Sequence, residues 1–220
     1  MSDARQRWEA RHRESASHVP PPPSASLVQA FPLLRRAHQR SRALDLACGA
    51  GQNAVWLAAH GWPTVAVDFA PAALARAQAL ARKQGVECCL LKGGLCDPGE
   101  RRLSPGIKTL LHNWPGILFL NVDLETSPLP ESAFDLILCF HYLDRSAFPR
   151  IARAIAPGGY LLYETYTEAQ RAFQDGPQDS NHLLRPGELR RAFPGLETLF
   201  YREWCAGRAL ASLLARKPAA

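Results

Sequence analysis

An α/β fold is predicted: a doubly wound, mostly parallel sheet with helices on both faces. Three observations predict it. Residues 43–68 read as strand, glycine turn, helix, strand and acid, a βαβ unit in which a ligand would sit at the carboxyl ends of the strands. Strand-like and helix-like runs then alternate from 71 to 166. The chain closes with two strand-like runs, 196–202 and 209–215, spaced as an antiparallel hairpin. A length of 220 residues with 47% hydrophobic content suits one domain with a full core.

Residues 3–14 are expected to be helical, with Trp8 as the main apolar side chain. His18-Val-Pro-Pro-Pro-Pro-Ser breaks the chain, because a proline run favours an extended segment. Residues 26–38 form a second amphipathic helix through Leu27, Val28, Phe31, Leu33 and Leu34, kinked or delayed by Pro32. The first strand is 43–47. Gly49 and Gly51 make the turn, and the helix runs from about Gln52 to His60, where Gly61 breaks it. The second strand, 64–67, delivers Asp68 at its end. Pro71 suits the first turn of a helix over 71–83, with Ala73, Leu74, Ala77, Leu80 and Ala81 inward and Gly85 beyond its end.

Two runs then compete for one place in the sheet, 86–91 and 117–122. The second is the expected partner, since it ends on Asp123-Leu124. Residues 93–116 are expected to be an inserted loop, because their glycines and prolines oppose a long regular element. The next strand is 133–140. A helix over 146–156 stops at Pro157-Gly158-Gly159, and 160–166 is a strand. A polar connection follows, with a short helix at 167–173. Another helix begins near Pro186, ahead of the terminal hairpin.

The glycine turn alone fits a dinucleotide as well as other adenosine-containing ligands. Asp45, four positions before Gly49 inside the feeding strand, favours a cation over a pyrophosphate. S-adenosylmethionine carries an ammonium and a sulfonium and no phosphate. Asp68 is placed to accept hydrogen bonds from ribose hydroxyls in either case. The stretch 43–68 resembles the first motif and following acidic position of the class I (Rossmann-like) S-adenosylmethionine-dependent methyltransferases. Asp123-Leu124, Asp135 and Pro157-Gly158-Gly159 extend the resemblance over about 40–216.

The resemblance implies a seven-stranded sheet and S-adenosyl-L-methionine as cofactor, held by Asp45, Ala47, Gly49, Gly51, Asn53, Asp68, Phe69, Asp123, Leu124 and Cys139. Trp8, in Trp8-Glu9-Ala10-Arg11-His12, is similar to the Trp-anchored opening segment of tellurite-resistance-type and thiopurine-type methyltransferases, which closes on the cofactor. Residues 1–39 would then be a helical lid over a methyltransferase domain at 40–216. Phe140-His141-Tyr142-Leu143-Asp144-Arg145, with Tyr163-Glu164-Thr165-Tyr166, also resembles the tellurite-resistance-type enzymes.

A sulfonium methyl needs alignment more than activation, so a base matters only for an acceptor that carries a tightly held proton. His141 is the candidate base, because an imidazole titrates near neutrality; Tyr142 and Tyr163 are candidates for shaping the pocket. A small-molecule acceptor is expected, because Cys139-Phe140-His141-Tyr142 replaces the acid, Asn or Ser followed by Pro-Pro and an aromatic of enzymes that methylate nucleic-acid amino groups.

The net charge is +6, and five of those charges fall in residues 1–42, which hold eight Arg and three acids. A basic arm of this kind leaves a nucleic-acid partner open without favouring it, since its arginines alternate with acids. A methyltransferase of RNA or a protein side chain, or a non-catalytic module with a damaged sheet, are the alternatives. No apolar run is long enough to span a membrane, and a cytoplasmic protein is expected. The six cysteines form no C-x-x-C pair, so no metal site is expected; the Cys88-Cys89-Cys96 group is the one soft-metal candidate.

Overall fold

A computed structural model describes residues 9, 10, 13, 14, 21–34, 41–91, 93–97, 99–114 and 116–219. Among these residues eight strands form one sheet: β1 (Ala43–Leu46), β2 (Thr64–Asp68), β3 (Cys88–Leu91), β4 (Ile117–Asn121), β5 (Phe134–Phe140), β6 (Ile155–Tyr166), β7 (Glu197–Cys205) and β8 (Ala209–Arg216). Their order is β3-β4-β2-β1-β5-β6-β8-β7. The first six run parallel. β8 is antiparallel to β6, and β7 to β8. The chain leaves β1 in one direction and returns to its other side at β5. The carboxyl ends of β1 and β5 therefore flank the switch point where such sheets bind ligands.

Six α-helices are present among the described residues outside 9–14: α1 (Ala25–Ala30), α2 (Gln52–Ala59), α3 (Pro71–Lys83), α4 (Pro105–Asn113), α5 (Phe148–Ala154) and α6 (Glu188–Arg191). One face of the sheet carries α1, α2 and α3, through Leu27, Leu57, Leu74 and Ala77 against Leu136, Leu162, Ala66 and Phe119. The other carries α4, α5 and α6, through Ile107, Leu111, Ile151 and Leu189 against Leu44, Val67, Leu118, Ile137 and Tyr163. Both faces of β1, β2 and β5 are buried, which is why their sequences are nearly continuous apolar runs.

The expected count of seven strands is corrected to eight, because both competing runs join the sheet. β4 pairs with β2, and β3 pairs with the far side of β4 at the edge. The inserted stretch is likewise not simply a loop, since it contains α4. Pro105 occupies the first turn, where its missing N–H costs nothing, and Ile107 and Leu111 point inward. The chain thus steps outward past an open place to β3, then back to β4. A right-handed crossover that reverses direction must use the opposite face, and α4 does lie opposite α3. A sheet damaged by an insertion, the ground for expecting a non-catalytic module, is not found.

Boundaries shift modestly elsewhere. The helix over 26–38 is α-helical only to Ala30, then a 3-10 turn around Pro32; Leu34 is extended, and 35–40 lie outside the described residues. α5 ends at Ala154, and β6 already begins at Ile155, so Pro157-Gly158-Gly159 is a bulged stretch inside the strand. Glu9, Ala10, Arg13 and Glu14 are helical as expected, while Trp8, Arg11 and His12 lie outside the described residues.

Candidate active site

At the end of β1, Ala47 turns the chain with φ +52°, a left-handed conformation that is unusual for a residue with a Cβ. The Cys48 N–H donates to Val67 O (2.9 Å), and the Gly51 N–H donates to Cys48 O (2.9 Å). Gly51 has φ +76°, and an added Cβ would fall 2.6 Å from the Cβ of Ala77 on α3. Its lack of a side chain therefore serves helix packing as well as the turn. Asp68 joins two loops: Oδ2 accepts from the Gly49 N–H and Oδ1 from the Ala70 N–H, both at 2.9 Å. The Asn121 amide, at the end of β4, donates to the carbonyls of Asp68 (3.1 Å) and Phe69 (2.8 Å). Asp123 accepts from the Glu125 N–H (3.1 Å), and Leu124 packs into the core.

Asp45 is 2% exposed on the same side of the sheet as α2. Its Oδ2 is buried with no hydrogen-bond partner among the described residues. Burial raises its pKa to about 8; a hydrogen bond from the Ala54 backbone opposes that shift and the charge of Asp68 adds to it. A carboxyl group so placed suits an ammonium or sulfonium and disfavours a phosphate, so the residues present fit S-adenosylmethionine.

Asn53 is 3% exposed, and its Oδ1 accepts from the Ser24 N–H (2.8 Å). Expected to face the cofactor, it ties α2 to the start of α1. Nothing in the sequence marks a partner 29 residues earlier. Glu9, next to Trp8, accepts from the Ala72 N–H at 3.4 Å, which brings the amino-terminal helix to the first turn of α3.

On the acceptor side, Cys139 is fully buried between Leu46 and Tyr163 in the sheet register. Burial and the charges of Asp45 and Asp144 push its thiol well above the ordinary range, against a hydrogen bond with Tyr163. A thiol held protonated in this way is a poor nucleophile. His141 has φ +56°, and its ring lies 5.0 Å from that of Tyr166. Partial desolvation of the ring, and then the Arg208 charge, lower its pKa, although the residue keeps an exposed edge. Tyr142 keeps its hydroxyl buried without a partner among the described residues, and burial raises its pKa. Tyr163, 0% exposed, donates its phenol to Tyr142 O (2.8 Å) and packs against Phe148 and Phe193. A group sealed in the core in this way has its phenol engaged by the backbone of the turn after β5. It supports the 141–144 turn from beneath.

Arg145 closes this side. It donates to Glu188 through Nε (2.6 Å) and Nη2 (2.9 Å), and to the carbonyls of Asn181 (3.1 Å) and Leu183 (2.9 Å). The 181–188 segment is thereby fastened beside the ends of β5 and β6. Gln170, 1% exposed, holds the same connection to β8 by accepting from the Ala209 N–H (2.8 Å) and donating to Asp175 O (2.5 Å).

The candidate soft-metal group does not converge. Cys88 and Cys89 are successive strand residues packed on opposite faces, and Cys96 points to Pro128 O (3.7 Å). Among the described residues no cluster of His, Cys, Asp or Glu could hold a metal, and no helix is long and apolar enough to cross a membrane.

Residues 44–163 match a family described as a methyltransferase domain. Phthiotriol/phenolphthiotriol dimycocerosates methyltransferase 1 of Mycobacterium ulcerans is 36% identical over 58 residues, 24% of this chain and 21% of that protein. The chain thus spans about a fifth of the length of the curated relatives it matches. Among solved structures, TehB from Haemophilus influenzae superposes with a TM-score of 0.65 at 17% identity, over 92% of this chain and 65% of that one. N-methyltransferase NodS from Bradyrhizobium japonicum WM9, in complex with S-adenosyl-L-homocysteine, does so with a TM-score of 0.60 at 18% identity, over 96% and 98%. With the family match covering more than half the chain and the orphaned carboxylate of Asp45 at the glycine turn, the protein belongs to the methyltransferase-domain family, with the class I fold and S-adenosyl-L-methionine as its cofactor.

Proposed function

We propose that this chain transfers a methyl group from S-adenosylmethionine to a small-molecule acceptor. The observation that carries this reading is the buried, unpartnered carboxylate oxygen of Asp45 beside the glycine turn, together with an acceptor side fastened down by Arg145. Bound S-adenosylmethionine supplies an electrophilic methyl on a sulfonium and leaves as a neutral thioether. Asp45 holds the positive charge, with Ala47, Gly49 and Gly51 shaping the turn around it. Asp68 and Asp123 offer carboxylates to the adenosine, flanked by Phe69, Leu124 and the Cys139 wall. Asn53 acts indirectly, by keeping α2 in place. Residues 1–39 serve as a lid, and Trp8, outside the described residues, is its proposed contact with the cofactor.

His141 and Tyr166, whose rings lie 5.0 Å apart, are the proposed side chains that an acceptor meets at the ends of β5 and β6. With its pKa lowered, His141 is neutral at pH 7 and can accept a proton, though weakly. It serves as base only for an acceptor that is already fairly acidic. Tyr142 shapes the wall, and Tyr163 positions it.

An RNA or protein acceptor is the second reading, favoured by a strip on β7. There the Arg202 guanidinium lies 4.2 Å from the Trp204 ring centroid and 5.7 Å from that of Phe200, which is 45% exposed. Aromatic rings interleaved with arginine suit a stacked, anionic partner. A labelled-methyl assay on cell extract divides the readings. Label in the dialysable fraction supports the first, and label retained in RNA or protein overturns it. No stabilisation of the chain by S-adenosylhomocysteine in a thermal shift would sink both.

A further inference from the structure

We propose that Glu164 is a positioning residue for the cofactor site, acting through the first turn of α1. It stands near the carboxyl end of β6, between Phe140 of β5 and Ser212 of β8 in the register, and is 6% exposed. Its Oε2 accepts a hydrogen bond from Ser26 Oγ at 2.5 Å, across 138 residues of chain. Two residues before Ser26, the Ser24 N–H donates to Asn53, the second residue of α2. The next residue, Ala54, turns its backbone N–H to Asp45. Hydrogen-bonded polar groups thus run from the acceptor-side strand, through three residues of the α1 start, to the carboxylate that faces the cofactor.

The link has a mechanical basis. The first turn of α1 is short of internal bonds, because the first N–H groups of a helix have no partner within it. Leu27, 0% exposed, anchors it to the sheet by packing. Packing leaves sliding and rotation of a six-residue helix open, whereas directed bonds at Ser24 and Ser26 fix both. Glu164 supplies one of those fixed points, and without it the Asn53 contact loses its brace. Burial raises the pKa of Glu164, opposed by the hydrogen bond from Ser26, the nearby Ser212 hydroxyl and the charges of Arg202 on β7 and Arg208 in the hairpin turn. A carboxylate costly to bury, tied to a cover helix at a strand end, has no evident purpose in the core packing alone.

The inference rests on S-adenosylmethionine as the cofactor and is independent of the acceptor. Its test compares Ser26→Ala, Glu164→Leu and Glu164→Gln in the full chain. S-adenosylhomocysteine affinity is read by calorimetry, and amide exchange over residues 25–34 is read without ligand. Ser26→Ala and Glu164→Leu should each weaken binding about tenfold, the effect of one net buried hydrogen bond. The double variant should be no worse than either single one, because both remove the same bond. Glu164→Gln keeps an acceptor oxygen and should stay within about threefold of the unaltered chain, since only the charge assistance is lost. Exchange in α1 should accelerate in the first two variants and not in the third. Unchanged affinity and unchanged α1 protection in Ser26→Ala would overturn the proposal, even if Glu164→Leu does not fold. Equal loss in Glu164→Gln and Glu164→Leu would overturn it too. Failure of the unaltered chain to bind at all would instead remove the cofactor assignment, while α1 exchange still reads the brace.

Discussion

Asp45 and Asp68 divide the work of the cofactor end differently than their spacing suggests. Asp68 is bound by backbone N–H groups on both oxygens, so it builds the site before it meets any ligand. Asp45 keeps an oxygen without a donor among the described residues and a pKa raised to about 8. Its sign is clear: in the ligand-free chain the proton stays on up to about pH 8, and a bound cation favours its release. S-adenosylmethionine affinity should therefore rise with pH through the range below 8, by as much as about tenfold per unit, and level off above it. Binding at pH 7 should release a proton, visible as a dependence of the calorimetric heat on buffer ionisation enthalpy. Asp45→Asn should bind weakly and lose both effects; a retained pH slope in that variant would assign it to another group. By the same linkage, the ligand-free fold should lose stability as pH rises from 4 towards 8, because ionising Asp45 without a partner is unfavourable. The importance of Asp45 was legible in the sequence, because a carboxylate four residues before a glycine turn has few other uses. The role of Asn53 was not, since its partner Ser24 is near only in space.

Gly51 shows how closely the turn is built against its neighbouring element. Gly51→Ala meets two penalties, a left-handed backbone and a Cβ 2.6 Å from that of Ala77. A loss of about 2–4 kcal/mol is expected, combining positive-φ strain with overpacking. Removing the opposing methyl separates them: Ala77→Gly in the Gly51→Ala background should recover the overpacking part and leave the strain, despite its own helix-propensity cost of about 1 kcal/mol. Urea unfolding of the four chains reads this cycle, and simple additivity would show that the two sites do not meet. Arg145 holds the other side. Arg145→Ala removes the Glu188 pair and two carbonyl contacts and should cost about 1–2 kcal/mol, because the pair is partly exposed. Limited proteolysis should speed up within 174–187, while β1 and β2 stay protected; equal protection there would mean the connection is held without Arg145. These elements differ in how far the sequence announces them. β1, α2, β2 and α3 follow from apolar periodicity and glycine placement. α4 was hidden because Pro105 and Gly106 read as breakers, although a first turn tolerates both. The pairing of β3 was hidden for another reason, since a strand's sequence does not say which edge it joins.

At the scale of the molecule, the sheet has a well-buried centre and two unlike margins. β1 and β5 have neighbours on both sides, whereas β3 is four residues long and, among the described residues, pairs with β4 alone. The β3–α4 unit should consequently open at a free energy below that of global unfolding, as edge units with little buried area do. The free cysteines report on this without any substitution. Cys205 is exposed on the far edge, Cys88, Cys89 and Cys96 are partly buried in the β3–α4 unit, and Cys139 is buried at the centre. Burial raises the pKa of each thiol in the unit, Cys96 to about 11 with help from Asp97 and Glu100, so thiolate is scarce until the unit opens. Alkylation followed by peptide mass spectrometry should label Cys205 first, then the three thiols of the unit together, and Cys139 last. The urea dependence sharpens the test, because its slope grows with the surface exposed in the opening event. Cys89 should show a shallower slope than Cys139. Labelling of Cys89 and Cys139 at one rate and one slope would mean that the extra βαβ unit has merged with the core into a single cooperative body, and that the cofactor end cannot be loosened from this margin.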